Sequence, residues 1–220
     1  MTTDTTPTDD LDSPPVMRLG GVRRFGLIAL AVALVLGVLI GVGGALVVHQ
    51  LRTPGDGSVE AGFARDMSTH HAQAVEMAIL AHEKGNDPEV RQVGADIALT
   101  QQAQIGMMQT WLREWNLSPT GTQPRMAWMP DGAAAVKDGL MPGMATDAER
   151  AQLRAATGKD FDALFLRLMV NHHLGGIHMA QAAVREARNS DVKWLAQTMA
   201  DSQQREITDL QTLQARLGVS

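Results

Sequence analysis

The chain contains an internal duplication, and this feature limits its fold more than any other part of the sequence. The stretch FARDMSTHHAQAVEMA (63–78) aligns with the stretch FLRLMVNHHLGGIHMA (165–180) at a shift of 102 residues. Each stretch holds an adjacent histidine pair with methionines on both sides. The alignment continues beyond them, as far as Ile105 and Ile207. A unit that occurs twice with one apolar face is expected to bury that face against its own copy.

Each repeat has the pattern of a helical hairpin. Apolar residues recur at steps of three and four, which is typical of amphipathic helices. Asp87 with Pro88, and Asp160, are predicted helix starts, and Gly85 is a predicted end. Two hairpins around a pseudo-twofold axis bury both apolar faces, so we predict an all-α four-helix bundle at 59–217. The hairpins are predicted at 59–116 and 160–217, with helices at 59–84, 88–115, 160–188 and 190–217.

The segment at 117–145 is rich in proline and glycine, and it is predicted to be a long loop between the hairpins. The sequence TDAE at 146–149 matches a capping box, which predicts a short extra helix at 146–157 that Gly158 closes. The composition agrees with packed helices, because 45% of the residues are hydrophobic but only 4% are aromatic. A β-sandwich would be richer in aromatic and β-branched residues.

A run of 24 residues without a charge occupies 25–48. A helix of that length reaches about 36 Å, enough to cross a hydrocarbon core of about 30 Å. Arg18, Arg23 and Arg24 precede it, so the positive-inside rule predicts a cytoplasmic N-terminus and an extracytoplasmic C-terminal domain. A cleaved signal peptide is the alternative, but its apolar region is normally shorter and ends in a small-x-small site.

We therefore predict a cell-membrane protein with one retained N-terminal transmembrane helix. The preceding residues 1–24 are predicted to be a disordered cytoplasmic tail, and 49–58 a linker to the bundle. Gly37 and Gly41 form a small-xxx-small pair in the apolar run, which leaves a homodimer through this helix open.

The histidine pairs are predicted to bind a metal ion. On each helix they share one face with the neighbouring methionines, and a dyad-related packing brings four imidazoles and several thioethers into the bundle. Four buried imidazoles without partners are costly, and neutral imidazole is the commonest side-chain metal ligand. Imidazole together with thioether favours copper, with methionine selecting Cu(I). The predicted ligands are Met67, His70, His71, Met77, Met169, His172, His173 and Met179.

Other residues are weaker candidates for ligands. His178 stands where the first repeat has Glu76, and His82 lies two to three turns beyond the first histidine pair. The loop between the hairpins carries two M-x-x-M steps, which could form a second copper site, a lid over the first site, or apolar plugs for the end of the bundle. These loop methionines are Met126, Met129, Met141 and Met144.

The sequence also excludes several function classes. Cysteine is absent, which removes disulfides and thiolate metal sites. No lysine or arginine run occurs and the net charge is −5, so nucleic-acid binding is not expected. No Glu-x-x-His step of a di-iron site and no nucleophile elbow are found. We expect a binding protein and not an enzyme, with a redox role at copper left open.

The pattern M-x-x-H-H followed by M-A, present twice, with MPGM ahead of FDALFLRLMVNHH, resembles the bacterial domain-of-unknown-function family 305. The resemblance covers about 59–217. It implies a ferritin-like four-helix bundle outside the cytoplasmic membrane and a role in copper binding and resistance. The resemblance also implies that the eight methionine and histidine residues named above are the metal ligands.

Two interpretations of the function therefore stand side by side. The first is a membrane-tethered protein that sequesters copper or delivers it to a copper-receiving partner. The second is a structural or interaction module, such as a subunit of a membrane complex, in which the histidines form a buried polar network. The repeats differ at the second and third residues after the histidine pair, where Gln73 and Ala74 align with Gly175 and Gly176. We interpret these glycines as a sign of close helix approach or local distortion.

Overall fold

The computed structural model describes residues 1–2 and 20–219, and only the backbone of 20–24 and 48–52 within it. The chain divides into two compact units, the first ending at Arg52 and the second beginning at Thr53. The first unit contains one helix, α1 (Gly20–Arg52). Within the described residues, α1 is the one helix long and apolar enough to cross a membrane, at Phe25–Val47, and none of that stretch is buried.

The helix α1 is longer than the apolar run that predicted it. Most of the predicted tail at 1–24 lies outside the described residues, but 20–24 belong to α1 and not to a tail. The predicted linker at 49–58 is likewise helical at 49–52. The length of the apolar run predicts only the part of the helix that a membrane can enclose. The helix itself extends beyond this run, because its backbone hydrogen bonds do not require apolar side chains.

The second unit consists of two helical hairpins joined by a long loop. The first hairpin is α2 (Val59–Lys84) and α3 (Pro88–Glu114), and the second is α6 (Gly158–Glu186) and α7 (Ser190–Leu217). Two shorter helices lie in the connection, α4 (Gly132–Ala135), which was not predicted, and α5 (Asp147–Ala155). No β-strand occurs in the part of the chain that the structure describes, so the predicted all-α class is confirmed.

Several predicted helix starts have the expected local cause. The Asp87 side chain accepts a hydrogen bond from the Glu89 backbone amide, with Pro88 at the first helical position. Thr146 and Glu149 form the predicted capping box at the start of α5. The start of α6 was predicted wrongly, because α6 begins at Gly158 and not after Asp160. Gly158 opens α6 instead of closing α5, and its positive φ of 58° allows the sharp turn between the two helices.

Two buried carboxylates at equivalent positions of the repeat join the hairpins. Glu60, near the start of α2, accepts hydrogen bonds from the backbone amides at 188–189, at 2.6 and 3.0 Å. Asp162, near the start of α6, accepts from the amides at 86–87, at 2.8 and 3.0 Å. The start of each long helix therefore meets the interhelical turn of the opposite hairpin. This reciprocal exchange fixes α2 and α6 as antiparallel neighbours.

The apolar core forms two clusters, one towards each end of the bundle. One contains Met67 of α2 and Met179 of α6, and the other contains Met77 of α2 and Met169 of α6. The histidine pairs stand between these methionines on both helices. A polar layer therefore separates two apolar clusters at the middle of α2 and α6.

The exchanged carboxylates are expected to stabilise the pairing of the hairpins. Replacing Asp162 with Ala removes the acceptor of two backbone hydrogen bonds at the turn 86–87, so the free energy of unfolding should fall by roughly 1–3 kcal/mol. Urea unfolding of the chain in detergent, followed by circular dichroism, measures this. Asp160→Ala is the matched control, because Asp160 is exposed on the same turn. Equal stability of the two variants would contradict the assigned role of Asp162.

Candidate metal centre

The four paired histidines are all buried, at most 1% exposed. His70 of α2 and His172 of α6 pack ring against ring, with centroids 3.8 Å apart and planes 38° apart. The centroids of His70 and His71 are 6.4 Å apart. The duplication therefore does bring imidazoles of the two repeats together inside the bundle. That these rings bind a metal stays a prediction at this point.

Methionine sulfur lies on both sides of the histidine layer. Met67 and Met179 belong to one apolar cluster, and Met77 and Met169 belong to the other. All four side chains are fully buried. Because α2 and α6 are antiparallel, each cluster receives one methionine that precedes a histidine pair and one that follows a pair. The imidazoles thus sit between two thioether layers.

Three of the four rings are oriented by an oxygen atom at Nε2. These oxygens are a backbone carbonyl, a side-chain amide oxygen and a carboxylate, all of which only accept hydrogen bonds. In the neutral ring, Nε2–H therefore donates, and the lone pair is left on Nδ1. The contacts are His70 to the Pro142 carbonyl oxygen (3.0 Å), His71 to Gln104 Oε1 (2.8 Å) and His173 to Glu206 Oε2 (2.5 Å).

The remaining ring nitrogens have no hydrogen-bond partner in the protein. They are Nδ1 of all four histidines and Nε2 of His172, and each is buried. The amides of Gln101 and Gln203, at equivalent positions of the repeat, are also buried without a partner. Unpartnered buried polar atoms are rare, and each costs about 1–3 kcal/mol. The centre of the bundle therefore has an excess of lone pairs, and this donor set fits a cation.

Burial keeps the rings of His70, His71 and His172 neutral. It lowers the pKa of His70 to about 4 and that of His71 to about 3, and the neighbouring His70 adds to the effect on His71. Burial, followed by the nearby His70, also lowers the pKa of His172 well below its usual value. Since metal ligands have to be deprotonated, these three rings are ready to bind a cation at neutral pH without losing a proton.

Imidazoles and carboxylates alone do not complete a metal site in this arrangement. Among the described residues, no group of three or more histidine, aspartate or glutamate side chains is placed to hold one ion. The further ligands of a site here would come from methionine sulfur, which is buried in the clusters on both sides of the histidine layer.

The loop methionines pack onto one side of this centre. Met126, Met129 and Met141 are buried in the same cluster as Met67 and Met179, and Met144 is half-buried against that cluster. The loop is thus a cover over one thioether layer, which agrees with the lid and plug alternatives. A separate copper site in the loop stays a prediction.

Asp66 of α2 holds the first M-x-x-M step in place. Its carboxylate accepts hydrogen bonds from the Met126 backbone amide (2.7 Å) and from the Trp128 indole (2.9 Å). Burial raises the pKa of this carboxyl, although the two hydrogen bonds oppose the shift. Asp66 was not recognised from the sequence, where its partners stand about 60 residues away.

The second M-x-x-M step runs as a strap, Met141–Ala145, across α6. A Cβ on Gly175 would lie 1.9 Å from the Pro142 carbonyl oxygen, so only glycine permits this approach. Gln73 of α2 fixes the end of the strap by bonding both the amide (2.7 Å) and the carbonyl (2.9 Å) of Ala145. The predicted close approach is thus made by the loop at Gly175, whereas at Gly176 it is made by the Gln203 side chain of α7, whose Oε1 lies 2.3 Å from where a Cβ would stand.

A family model for DUF305, a domain of unknown function, matches residues 60–214. The chain belongs to the DUF305 family. No curated protein matches it. Two solved DUF305 structures are similar to it. A candidate secreted protein from Streptomyces coelicolor is 43% identical, with a TM-score of 0.69, and covers 76% of this chain and 98% of its own. A DUF305 fragment from Deinococcus radiodurans is 29% identical, with a TM-score of 0.60. The match covers 72% of this chain and 96% of the fragment.

A further similar structure is that of CopM in a Cu(II)-bound form. It is 26% identical to this chain, with a TM-score of 0.57, and the match covers 72% of this chain and 97% of CopM. CopM has also been solved in Cu(I)-bound, Ag-bound and apo forms, and these resemble the chain in fold. The DUF305 unit therefore has the fold of a protein with known copper-bound structures.

The weaker histidine candidates lie outside the buried centre of the DUF305 unit. His178 is exposed beside Met144 in a shallow groove along the strap. His82 is exposed, and its Nδ1 lies 3.3 Å from the Arg91 carbonyl oxygen. Glu76, the counterpart of His178, forms ion pairs with two arginines of α5 at 2.7 Å. The exchange of Glu76 for His178 therefore does not change the centre itself.

Four polar residues of the centre were missed by the sequence reasoning. They come from the second helix of each hairpin, where they interrupt the buried apolar stripe at helical spacing. A search for polar residues inside such a stripe would have found them. They are Gln101, Gln104, Gln203 and Glu206.

The lowered pKa values predict that acid destabilises the metal-free protein. Below about pH 6.5 the histidines of the unfolded chain become protonated. In the folded chain His70, His71 and His172 stay neutral at this pH, because their pKa values are lowered. Stability that is present above this pH is therefore lost as the pH falls towards 4, by roughly 1 kcal/mol for each ring at pH 5.5. Unfolding with a chelator present, measured from pH 7.5 to 5.5, tests this.

The exposed histidines provide the control for this pH dependence. His82→Gln and His178→Gln should leave the slope of stability against pH unchanged, whereas His172→Gln should flatten it. A wild-type stability that stays constant down to pH 5.5 would contradict the assignment of neutral buried rings.

Proposed function

We propose that this DUF305 protein is a membrane-anchored, extracytoplasmic copper-binding protein that sequesters Cu(I) or delivers it to a partner. The observation that carries the proposal is the set of five unpartnered ring nitrogens, buried between two layers of methionine sulfur. Such a set is costly in an apolar interior and is relieved by a cation that accepts nitrogen and sulfur lone pairs.

The ligand types favour Cu(I) over other ions. Thioether is a soft ligand that selects Cu(I), whereas Zn²⁺ is usually completed by cysteine or carboxylate and Mg²⁺ or Ca²⁺ by oxygen. The buried histidine pairs would supply nitrogen, and Met67, Met77, Met169 and Met179 would supply sulfur. The similarity to CopM, which has been solved with Cu(I) and Cu(II), supports copper as the ion.

The proposed activity is binding and not catalysis. The imidazoles are at most 1% exposed, which suits a single ion and not an organic substrate. The copper ion is cargo in this proposal, held by neutral rings and released to a copper-receiving partner. The loop methionines would then cover the bound ion on the Met67 side.

A structural role is the second candidate function. The hydrogen bonds of His71 with Gln104 and of His173 with Glu206 favour it, because they are the bonds of a buried polar network. In that case the interior would hold no metal ion, and the histidines would serve only the pairing of the hairpins. The two candidates differ in one measurable property, the affinity for Cu(I).

Titration with Cu(I) in competition with a chromophoric chelator, without oxygen, tests the proposal. The wild-type protein should bind tighter than micromolar. His70→Ala combined with His172→Ala should weaken binding by more than about 100-fold, because loss of ligands exceeds the 10–100-fold effect of their supporting residues. Met67→Leu with Met179→Leu should weaken Cu(I) binding more than Cu(II) binding.

The exposed histidines again provide matched controls. His82→Ala and His178→Ala should bind Cu(I) as the wild type does. If the wild type binds no tighter than micromolar, or if the buried double variant binds normally, the structural role is the better account.

The anchoring part of the proposal rests on the exposed apolar stretch Phe25–Val47 of α1. The full chain should remain in membranes washed with alkaline carbonate, and a chain that starts at Thr53 should not. A mature protein that begins downstream of Val48 and is recovered in the soluble fraction would show a cleaved signal sequence instead.

A further inference from the structure

The two histidine pairs are matched in position but not in charge. His71 and His173 are equivalent in the repeat, and each bonds through Nε2 to a residue 33 positions later. In the first repeat this residue is Gln104, a neutral amide, whereas in the second it is Glu206, a carboxylate. Both hold the ring in the same way, with Nδ1 left buried and unpartnered. The repeats therefore differ in one formal negative charge at the same place.

A carboxylate behind an imidazole changes what the ring can do. It accepts the Nε2–H hydrogen bond more strongly than an amide does, fixes the ring orientation and raises the basicity of the opposite nitrogen. Loss of such a supporting group typically lowers metal affinity by 10–100-fold. His173 has this support, at 2.5 Å from Glu206, and His71 has only the amide.

Charge balance points in the same direction. A monovalent cation bound by neutral imidazole and thioether carries one uncompensated positive charge into a buried layer, which is unfavourable. The Glu206 side chain is 24% exposed, so it reaches solvent while its Oε2 contacts the fully buried His173 ring. Asp66, a buried acid of α2, is already bonded to Met126 and Trp128 of the loop. Among the residues that the structure describes, Glu206 is thus the carboxylate bonded to the histidine layer.

We propose that Glu206 is a positioning residue that makes the second repeat the anchor of the copper site. In this arrangement His173 binds Cu(I) through Nδ1 while Nε2–H donates to Glu206, and the carboxylate balances the charge of one monovalent ion. The first repeat, with Gln104, contributes a weaker ligand in His71. This inference rests on the proposed function. It adds that the second repeat holds the ion and that His173 binds it through Nδ1.

Glu206→Gln isolates the charge, because glutamine still accepts the Nε2–H bond as Gln104 does for His71. Measured on the full chain in detergent, this variant should bind Cu(I) and Ag(I) about 10–100-fold more weakly than the wild type. The swap variant, Gln104→Glu with Glu206→Gln, should recover most of the lost affinity. In the swap variant, His71→Ala should weaken binding more than His173→Ala, the reverse of the wild-type order.

A second readout does not depend on affinity. With ¹⁵N-labelled histidine, the metal-free protein should show His173 protonated at Nε2, and addition of Ag(I) should shift the Nδ1 resonance of His173 most strongly. Exposed His178 should not shift.

The outcomes separate this inference from the function on which it rests. Normal Cu(I) affinity of Glu206→Gln, or equal losses on replacing His71 and His173, would overturn the anchoring role and leave copper binding intact. Failure of the wild type to bind Cu(I) or Ag(I) would overturn both. If Glu206 had only a structural role, Glu206→Gln would be less stable than the wild type, and the swap variant would not recover Cu(I) affinity. This result too would overturn the inference.

Discussion

Burial of four imidazole rings is the constraint on which the rest of the second unit depends. Rings placed in mid-helix need oxygen acceptors, and these come from three different elements: the strap at Pro142, α3 at Gln104 and α7 at Glu206. The strap reaches His70 only because Gly175 has no side chain. Apolar clusters then close the layer on both sides and exclude water. The low pKa values of His70, His71 and His172, and the unpartnered ring nitrogens, follow from this burial.

The sequence was sufficient for the architecture because the repeat and the helix signals agree. A duplicated amphipathic hairpin has few ways to bury its stripe, and Asp87, Pro88 and the capping box at Thr146 are local signals that need no tertiary information. Gly158 shows the limit of such signals. A glycine with positive φ either ends a helix or precedes one, and only the position of the neighbouring helix decides between the two.

The site was predictable in part, for a similar reason. Burial of the histidines followed from helical periodicity. Their partners did not, because Gln104 and Glu206 lie 33 residues away, on helices whose rotation the sequence does not define. Asp66 and the strap depend on contacts about 60 to 70 residues apart along the chain. CopM, to which the chain is similar, has been solved with the predicted ion bound, whereas the ligand set of this chain stays a prediction.

The reciprocal bonds of Glu60 and Asp162 have a consequence for the origin of the fold. Each hairpin supplies the acceptor that the other hairpin's turn needs, so a hairpin alone leaves its own acid and its own turn amides unmatched. In an isologous homodimer, two identical hairpins related by a twofold axis would provide a partner for both the acid and the turn amides of each copy. Fusion of two such genes preserves every one of these bonds and frees each copy to diverge. A difference between two equivalent positions, such as Gln104 and Glu206, is possible in a fused chain and impossible in a dimer of identical chains.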